Sequence, residues 1–156
     1  MIVGLGVDVC DVARIRRALE GHVGARFRAR VFTRGEQEYC EARRRGRFAS
    51  YAARFAAKEA AMKALGTGWA QGVGWRDFEV VRGRGAPPHL VLHGKAATLA
   101  RRRGMARWLL ALTHTSESAL ASVVVEDGVS GERAAASTGR SGAARGSGRR
   151  RPRGRR

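Results

Sequence analysis

The sequence predicts an α+β protein in which an antiparallel sheet packs against one long central helix. Three observations predict it. Residues 50–65, SYAARFAAKEAAMKAL, are almost entirely strong helix formers. Two apolar runs, 108–113 and 119–125, flank the short segment THTSES and read as an antiparallel hairpin. Helical and strand patterns are otherwise mixed, without the regular alternation that builds a parallel sheet.

The chain opens with an apolar run, Ile2 to Val9, that reads as a strand; Gly4 and Gly6 within it mark a close backbone approach or a bend. Asp11 is placed to cap a helix running to about Leu19, because Val12, Ile15 and Leu19 repeat at helical spacing while Arg14, Arg16 and Arg17 take the other faces. Thr33 and Glu36 form a capping-box pattern, so a second helix, polar and on the surface, is expected from about Arg34 to Arg44. Gly66 closes the 50–65 helix where a left-handed cap is favoured. After the glycine-rich GTGWAQGVGW come two expected strands, Arg76 to Val81 and His89 to His93, parted by Pro87-Pro88. Gly94 to Arg103 is expected to be helical, with Ala96, Leu99 and Ala100 inward.

A length of 156 residues fits one domain, and we place it at residues 1–128. Residues 129–156 are almost wholly Gly, Ala, Ser and Arg, with no Leu, Ile, Met or aromatic residue. Such a segment buries too little apolar area to offset the entropy of ordering it, so a disordered basic tail is expected. The net charge of +18 calls for anionic partners, and the tail, with nine arginines and one glutamate, supplies +8 of it. The tail is either a polyanion-binding arm, for nucleic acid above all, or a tolerated low-complexity extension. No apolar stretch approaches the ~20 residues of a membrane span, and the opening MIVGLGVDV has no leader pattern, so a cytoplasmic protein is expected. Cys10 and Cys40 read as small hydrophobes, and the four histidines fall at no zinc-binding spacing.

Asp8 ends an apolar strand, where an unpaired carboxylate is costly. It is either a turn acid, a task for which Asp11 is better placed, or a functional group. Glu59 borders the apolar face of the long helix and stands four residues before Lys63. That pair is either a surface contact worth about 0.2–0.5 kcal/mol or part of a site. Two carboxylates from separate elements, both bordering apolar surface, suit a hard divalent ion such as Mg²⁺ that also keeps waters and substrate phosphates. Arg54, Lys58 and Lys63 could then hold phosphate groups. His114, in the expected hairpin turn, is either a phosphate donor or an ordinary exposed histidine. The Gly4-x-Gly6 pair lacks the third glycine of a dinucleotide fingerprint, and no phosphate-binding Gly-x-x-x-x-Gly-Lys loop occurs.

GLGVDVCDVARI at 4–15, FTRGE at 32–36, RFAAKEAAMKALGTG at 54–68 and LTHT at 112–115 resemble, in order and spacing, the holo-acyl-carrier-protein synthase family. The resemblance covers positions 2 to about 126. It implies a small homotrimeric α+β enzyme with active sites at subunit interfaces. The implied reaction is Mg²⁺-dependent transfer of phosphopantetheine from coenzyme A to a serine of an acidic acyl carrier protein, releasing 3′,5′-ADP, in support of fatty acid biosynthesis. Carried over by position, the resemblance makes Asp8 and Glu59 the metal ligands, with Lys63 acting beside them in catalysis. It places Arg54, Lys63, Gly66, His114 and Thr115 among the coenzyme A contacts, and Arg14 and Arg17 on the carrier-binding surface. The general base stays between Glu59 and a water on the metal. Where the family usually has Ser-Ile-Ser-His, this chain has Ala111-Leu112-Thr113-His114. Two other readings are a non-enzymatic polyanion-binding protein and a transferase serving polyketide or peptide carrier domains. The latter branch resembles two fused copies of this unit, and the chain is short for it.

Overall fold

The computed structural model describes residues 1–68, 71–83 and 85–128. The expected tail, 129–156, lies outside the described residues. The chain runs through β1 (Ile2–Asp11), α1 (Val12–Glu20), α2 (Gly24–Val31), α3 (Arg34–Glu41), α4 (Arg47–Leu65), β2 (Phe78–Val81), β3 (His89–Leu92), α5 (Gly94–Arg102), β4 (Met105–His114) and β5 (Ser118–Asp127). The α+β class with antiparallel strands and a long helix is as expected. The strands divide into two sheets: a three-stranded one in the order β1-β5-β4, and the separate pair β2-β3.

α4 lies across the three-stranded sheet, and small residues set the distance. Ala52, Ala53, Ala56, Ala57, Ala60, Ala61 and Ala64 are all buried on this helix. Opposite them β1 carries glycine: a Cβ on Gly6 would meet the Ala60 carbonyl oxygen at 1.9 Å, and one on Gly4 would meet the Ala64 carbonyl oxygen at 2.6 Å. The glycines therefore serve close approach, and β1 runs as a strand through both of them.

Local signals hold elsewhere. Asp11 caps α1 by accepting from the Arg14 backbone N–H, which leaves Asp8 free of that task. Gly66 ends α4 in the left-handed region at φ 74°. The Thr33–Glu36 capping box forms as expected. Several boundaries move: β1 runs on to Asp11, β4 begins at Met105 rather than Trp108, and β5 runs on to Asp127. α4 begins three residues earlier, at Arg47; α3 stops at Glu41, with a 3-10 turn at Arg44–Gly46; β2 starts only at Phe78, after a 3-10 turn at Trp75–Asp77. α2 carries no apolar repeat strong enough to announce it, because among its eight residues only Gly24 and Val31 are buried. α3 departs from a surface helix, since Glu36 and Cys40 are fully buried.

The other face of the three-stranded sheet is open. Leu5, Val7 and Val9 of β1, Leu120 of β5 and Leu109 of β4 are exposed, Leu5 at 64% and Val9 at 59%. The register lines up Leu5, Val124 and Leu109 in one row across the three strands.

Because the Ala60 carbonyl is helix backbone and cannot yield, Gly6→Ala is expected to destabilise the domain by at least about 2 kcal/mol. Urea unfolding measures this, and an unchanged midpoint would mean that α4 does not ride on β1.

Candidate active site

The alternation of β1 turns Gly4, Gly6, Asp8 and Cys10 toward α4. Asp8 is thereby delivered to the flank of the helix that carries Glu59 and Lys63, which lie one turn apart. The Lys63 ammonium donates to Asp8 Oδ1 at 2.9 Å and to the Val7 carbonyl oxygen at 2.9 Å. The helical Glu59–Lys63 surface pair gives way to a bridge between elements. Burial pushes the Glu59 carboxyl above its ordinary value of 4.5, and the Asp8 charge pushes it further, with Lys63 and Arg14 pulling back. Asp8 and Glu59 thus form a close, mutually repelling acid pair on a half-buried edge.

Such a pair fits a divalent cation. Among the described residues no group of three or more His, Cys, Asp or Glu side chains could hold a metal by itself. Two carboxylates would leave the remaining positions to water and phosphate oxygens, the mode suited to Mg²⁺. Cys10 lies beside the pair, but burial pushes its thiol up to about 11, so it is no nucleophile at neutral pH.

The cations sort differently from their expected shared role. Lys63 stays half-exposed at the acid pair. Lys58 is fully buried and pairs with Glu36 Oε2 at 2.8 Å, so it is not available to a phosphate. No local signal announces this pairing, because the Thr33–Glu36 capping box already gives Glu36 a role within its own helix. Arg54 is buried at 4% exposure, with its guanidinium 4.0 Å from the centre of the Tyr39 ring. It donates to the Ser50 carbonyl oxygen, and its buried Nε has no hydrogen-bond partner among the described residues. It lines a cleft of about 360 Å³ with Tyr39, Arg82, Pro88, Thr113 and His114. His114 is exposed at the end of β4 and also borders a second cleft of about 620 Å³ with Arg16, Arg45 and Phe48. Thr115 spends its hydroxyl on the turn, accepting from the Glu117 and Ser118 backbone N–H groups. Gly66 serves the fold as the stop of α4. Arg14 and Arg17 are exposed on α1, and Arg14 stacks over Phe55 at 5.8 Å, next to the acid pair.

The expected site residues fall into two groups. Asp8, Glu59 and Lys63 meet on the β1 flank of α4. Arg54 and His114 meet on the other flank, beside β4, and β5 lies between the two edge strands. At about 100° per residue, Glu59 and Arg54 point roughly 140° apart around the helix.

The model of the 4′-phosphopantetheinyl transferase superfamily matches residues 4–121. The chain belongs to that superfamily. Within it, the similarity is to holo-[acyl-carrier-protein] synthases. The protein of that name from Solibacter usitatus is 50% identical over 127 residues, spanning 81% of this chain and all of that one. The crystal structure of the Neisseria meningitidis synthase superposes with a TM-score of 0.72 at 30% identity, covering 81% of this chain and 100% of the other. That of the Bacillus anthracis synthase, a complex with CoA (3′,5′-ADP), gives 0.66 at 32% identity, covering 81% and 98%.

Glu59 binds protons more readily folded than unfolded, so its charge opposes folding. This cost is absent at low pH, grows as pH rises past 4.5 and is complete above the raised folded value. Glu59→Gln is therefore expected to raise the urea midpoint at neutral pH in chelator-treated buffer. The gain should shrink toward zero as pH falls below 4.5; a pH-independent difference would mean that neither burial nor Asp8 raises the Glu59 carboxyl.

Proposed function

We propose that this enzyme transfers 4′-phosphopantetheine from coenzyme A to a serine of an acidic acyl carrier protein, releasing 3′,5′-ADP, with Mg²⁺ held by Asp8 and Glu59. The observation that carries this reading is the convergence of those two carboxylates, one from β1 and one from α4, beside Lys63. In the reaction the serine Oγ bonds to the β-phosphorus of coenzyme A, the bond from that phosphorus to the oxygen bridging it to 3′,5′-ADP breaks, and the serine proton goes to a base. That base is either Glu59 or a water on the metal, whose proton the cation would make easier to lose. Lys63 offers a point charge to the pyrophosphate. Mg²⁺, when bound, supplies Lewis-acid neutralisation of the charge that builds there. Arg54 and His114, which line the same cleft, receive anionic parts of coenzyme A. Gly66 and Thr115 contribute backbone shape at the ends of α4 and β4. Arg14 and Arg17 present positive charge to the acidic carrier and speed its encounter.

One chain holds the acids and the arginine cleft on opposite flanks of α4. We place the complete site between chains of a homotrimer, the acid pair of one facing the cleft of the next, with the exposed Leu5–Val9 face of the sheet buried at the contact. The assignment to fatty acid biosynthesis in the cytoplasm follows from the carrier substrate. No described helix is long and apolar enough to cross a membrane.

In an assay with coenzyme A, Mg²⁺ and apo-carrier protein, Asp8→Ala and Glu59→Ala are each expected to lower kcat/KM by about 100-fold or more. Near-wild-type rates would sink the metal-site assignment. Co-expressing an Asp8→Ala chain with one carrying Arg54→Gln and His114→Ala should restore about one quarter of wild-type activity, the share of random interfaces that pair two intact halves. Activity no higher than that of the two parents would place the site within a single chain.

A further inference from the structure

The buried ammonium of Lys58 makes three bonds to two different stretches of chain. It pairs with Glu36 Oε2 of α3 at 2.8 Å, donates to the Trp75 carbonyl oxygen at 3.2 Å, and donates to the Phe78 carbonyl oxygen at the start of β2. Glu36 is itself fixed from both ends, accepting from Thr33 N–H on one oxygen and from Val80 N–H on the other. Nothing in the proposed chemistry uses this group.

We propose that Lys58 is a positioning residue: its bonds to Glu36, Trp75 and Phe78 lock the rotation of α4 about its own axis and so hold Glu59 against Asp8. The inference rests on the proposed role of the acid pair. The alanine strip that seats α4 on the sheet permits close approach but is smooth, because methyl groups offer little that resists turning. Lys58 projects from the opposite side of the helix, into α3 and the start of β2, and is the buried charge of α4 that is bonded to both. Glu59 is the next residue, about 100° further round. A helix rotation of roughly 10° would carry a carboxylate ~6 Å from the axis by ~1 Å, and a misplacement of that size at a reacting centre can cost on the order of 100-fold in rate. The same bond to the Trp75 carbonyl fixes the residue whose indole lies 4.6 Å from the Phe55 ring, on the Glu59 side of α4.

Removing either charge would strand its partner in the interior, so the test uses variants that keep both: Lys58→Arg and Glu36→Asp. Leu99→Ala, in the α5 core away from the site, serves as a control for destabilisation alone. Each folded variant is assayed well below its melting midpoint for kcat, KM for coenzyme A, and Mn²⁺ affinity by electron paramagnetic resonance. At least one of the two charge-keeping variants is expected to lose about 10- to 100-fold in kcat and to bind Mn²⁺ more weakly, with KM for coenzyme A little changed. Leu99→Ala should lose stability only. Wild-type kcat and Mn²⁺ affinity in both Lys58→Arg and Glu36→Asp would overturn the proposal, as would losses no greater than those of Leu99→Ala at matched stability. Should one charge-keeping variant fail to fold, the other decides; should neither fold, Lys58 is a folding determinant and the positioning role is rejected. Failure of the underlying site assignment shows separately, as retained activity in Asp8→Ala.

Discussion

The bare contact between β1 and α4 is the constraint on which the rest of the structure depends. Backbone meets backbone there: the space that a side chain on Gly6 would need is already taken by the Ala60 carbonyl. Asp8 stands two residues after that glycine, on the same face of the strand, and so reaches the helix where Glu59 and Lys63 emerge. A larger residue at either glycine would lift the strand and part the two acids. The alanine-rich composition of α4 therefore does more than favour a helix, because it sets the distance across which Asp8 approaches the helix.

Three cations on α4 illustrate how burial decides what a charge does. Lys63 remains half in solvent and joins Asp8 to the helix, so it stays free to exchange that partner for a phosphate. Arg54 is almost wholly buried, held against the Tyr39 ring and bonded to the Ser50 carbonyl, and still lines a cleft beside His114. Lys58 is enclosed, and burial draws its ammonium below the ordinary lysine value even though Glu36 supports the charge. Breaking such a pair from one side costs about 3–5 kcal/mol, so its natural use is to define a geometry.

The open face of the β1-β5-β4 sheet and the separation of the two groups of site residues are linked through topology. With β5 in the centre, the strand bearing Asp8 and the strand ending at His114 become opposite edges of one sheet. A chain so built cannot bring its own acids to its own arginine cleft, while an exposed apolar sheet face is a surface that gains by being covered. The homotrimer proposed above would resolve both at once.

The sequence by itself determined the α+β class, the long helix and its left-handed stop at Gly66, the Asp11 and Thr33–Glu36 caps, and the terminal hairpin. These are local: each rests on residues within a few positions of one another, and local hydrogen bonding and rotamer freedom decide them. It also marked Asp8 as an acid in need of a reason, and left Glu59 between a surface pair with Lys63 and a place in a site. α2 stayed hidden because its arginines mask a short helix with little to bury. Only the tertiary structure decided that Lys63 turns to Asp8 rather than to Glu59 beside it, that Lys58 belongs to Glu36 rather than to phosphate, and that Arg54 faces away from the acids. Partners 22 to 55 positions apart in sequence share no local signal. Which of several nearby charges pair is settled by desolvation and by the packing of elements against one another, and that information exists only once the chain is folded.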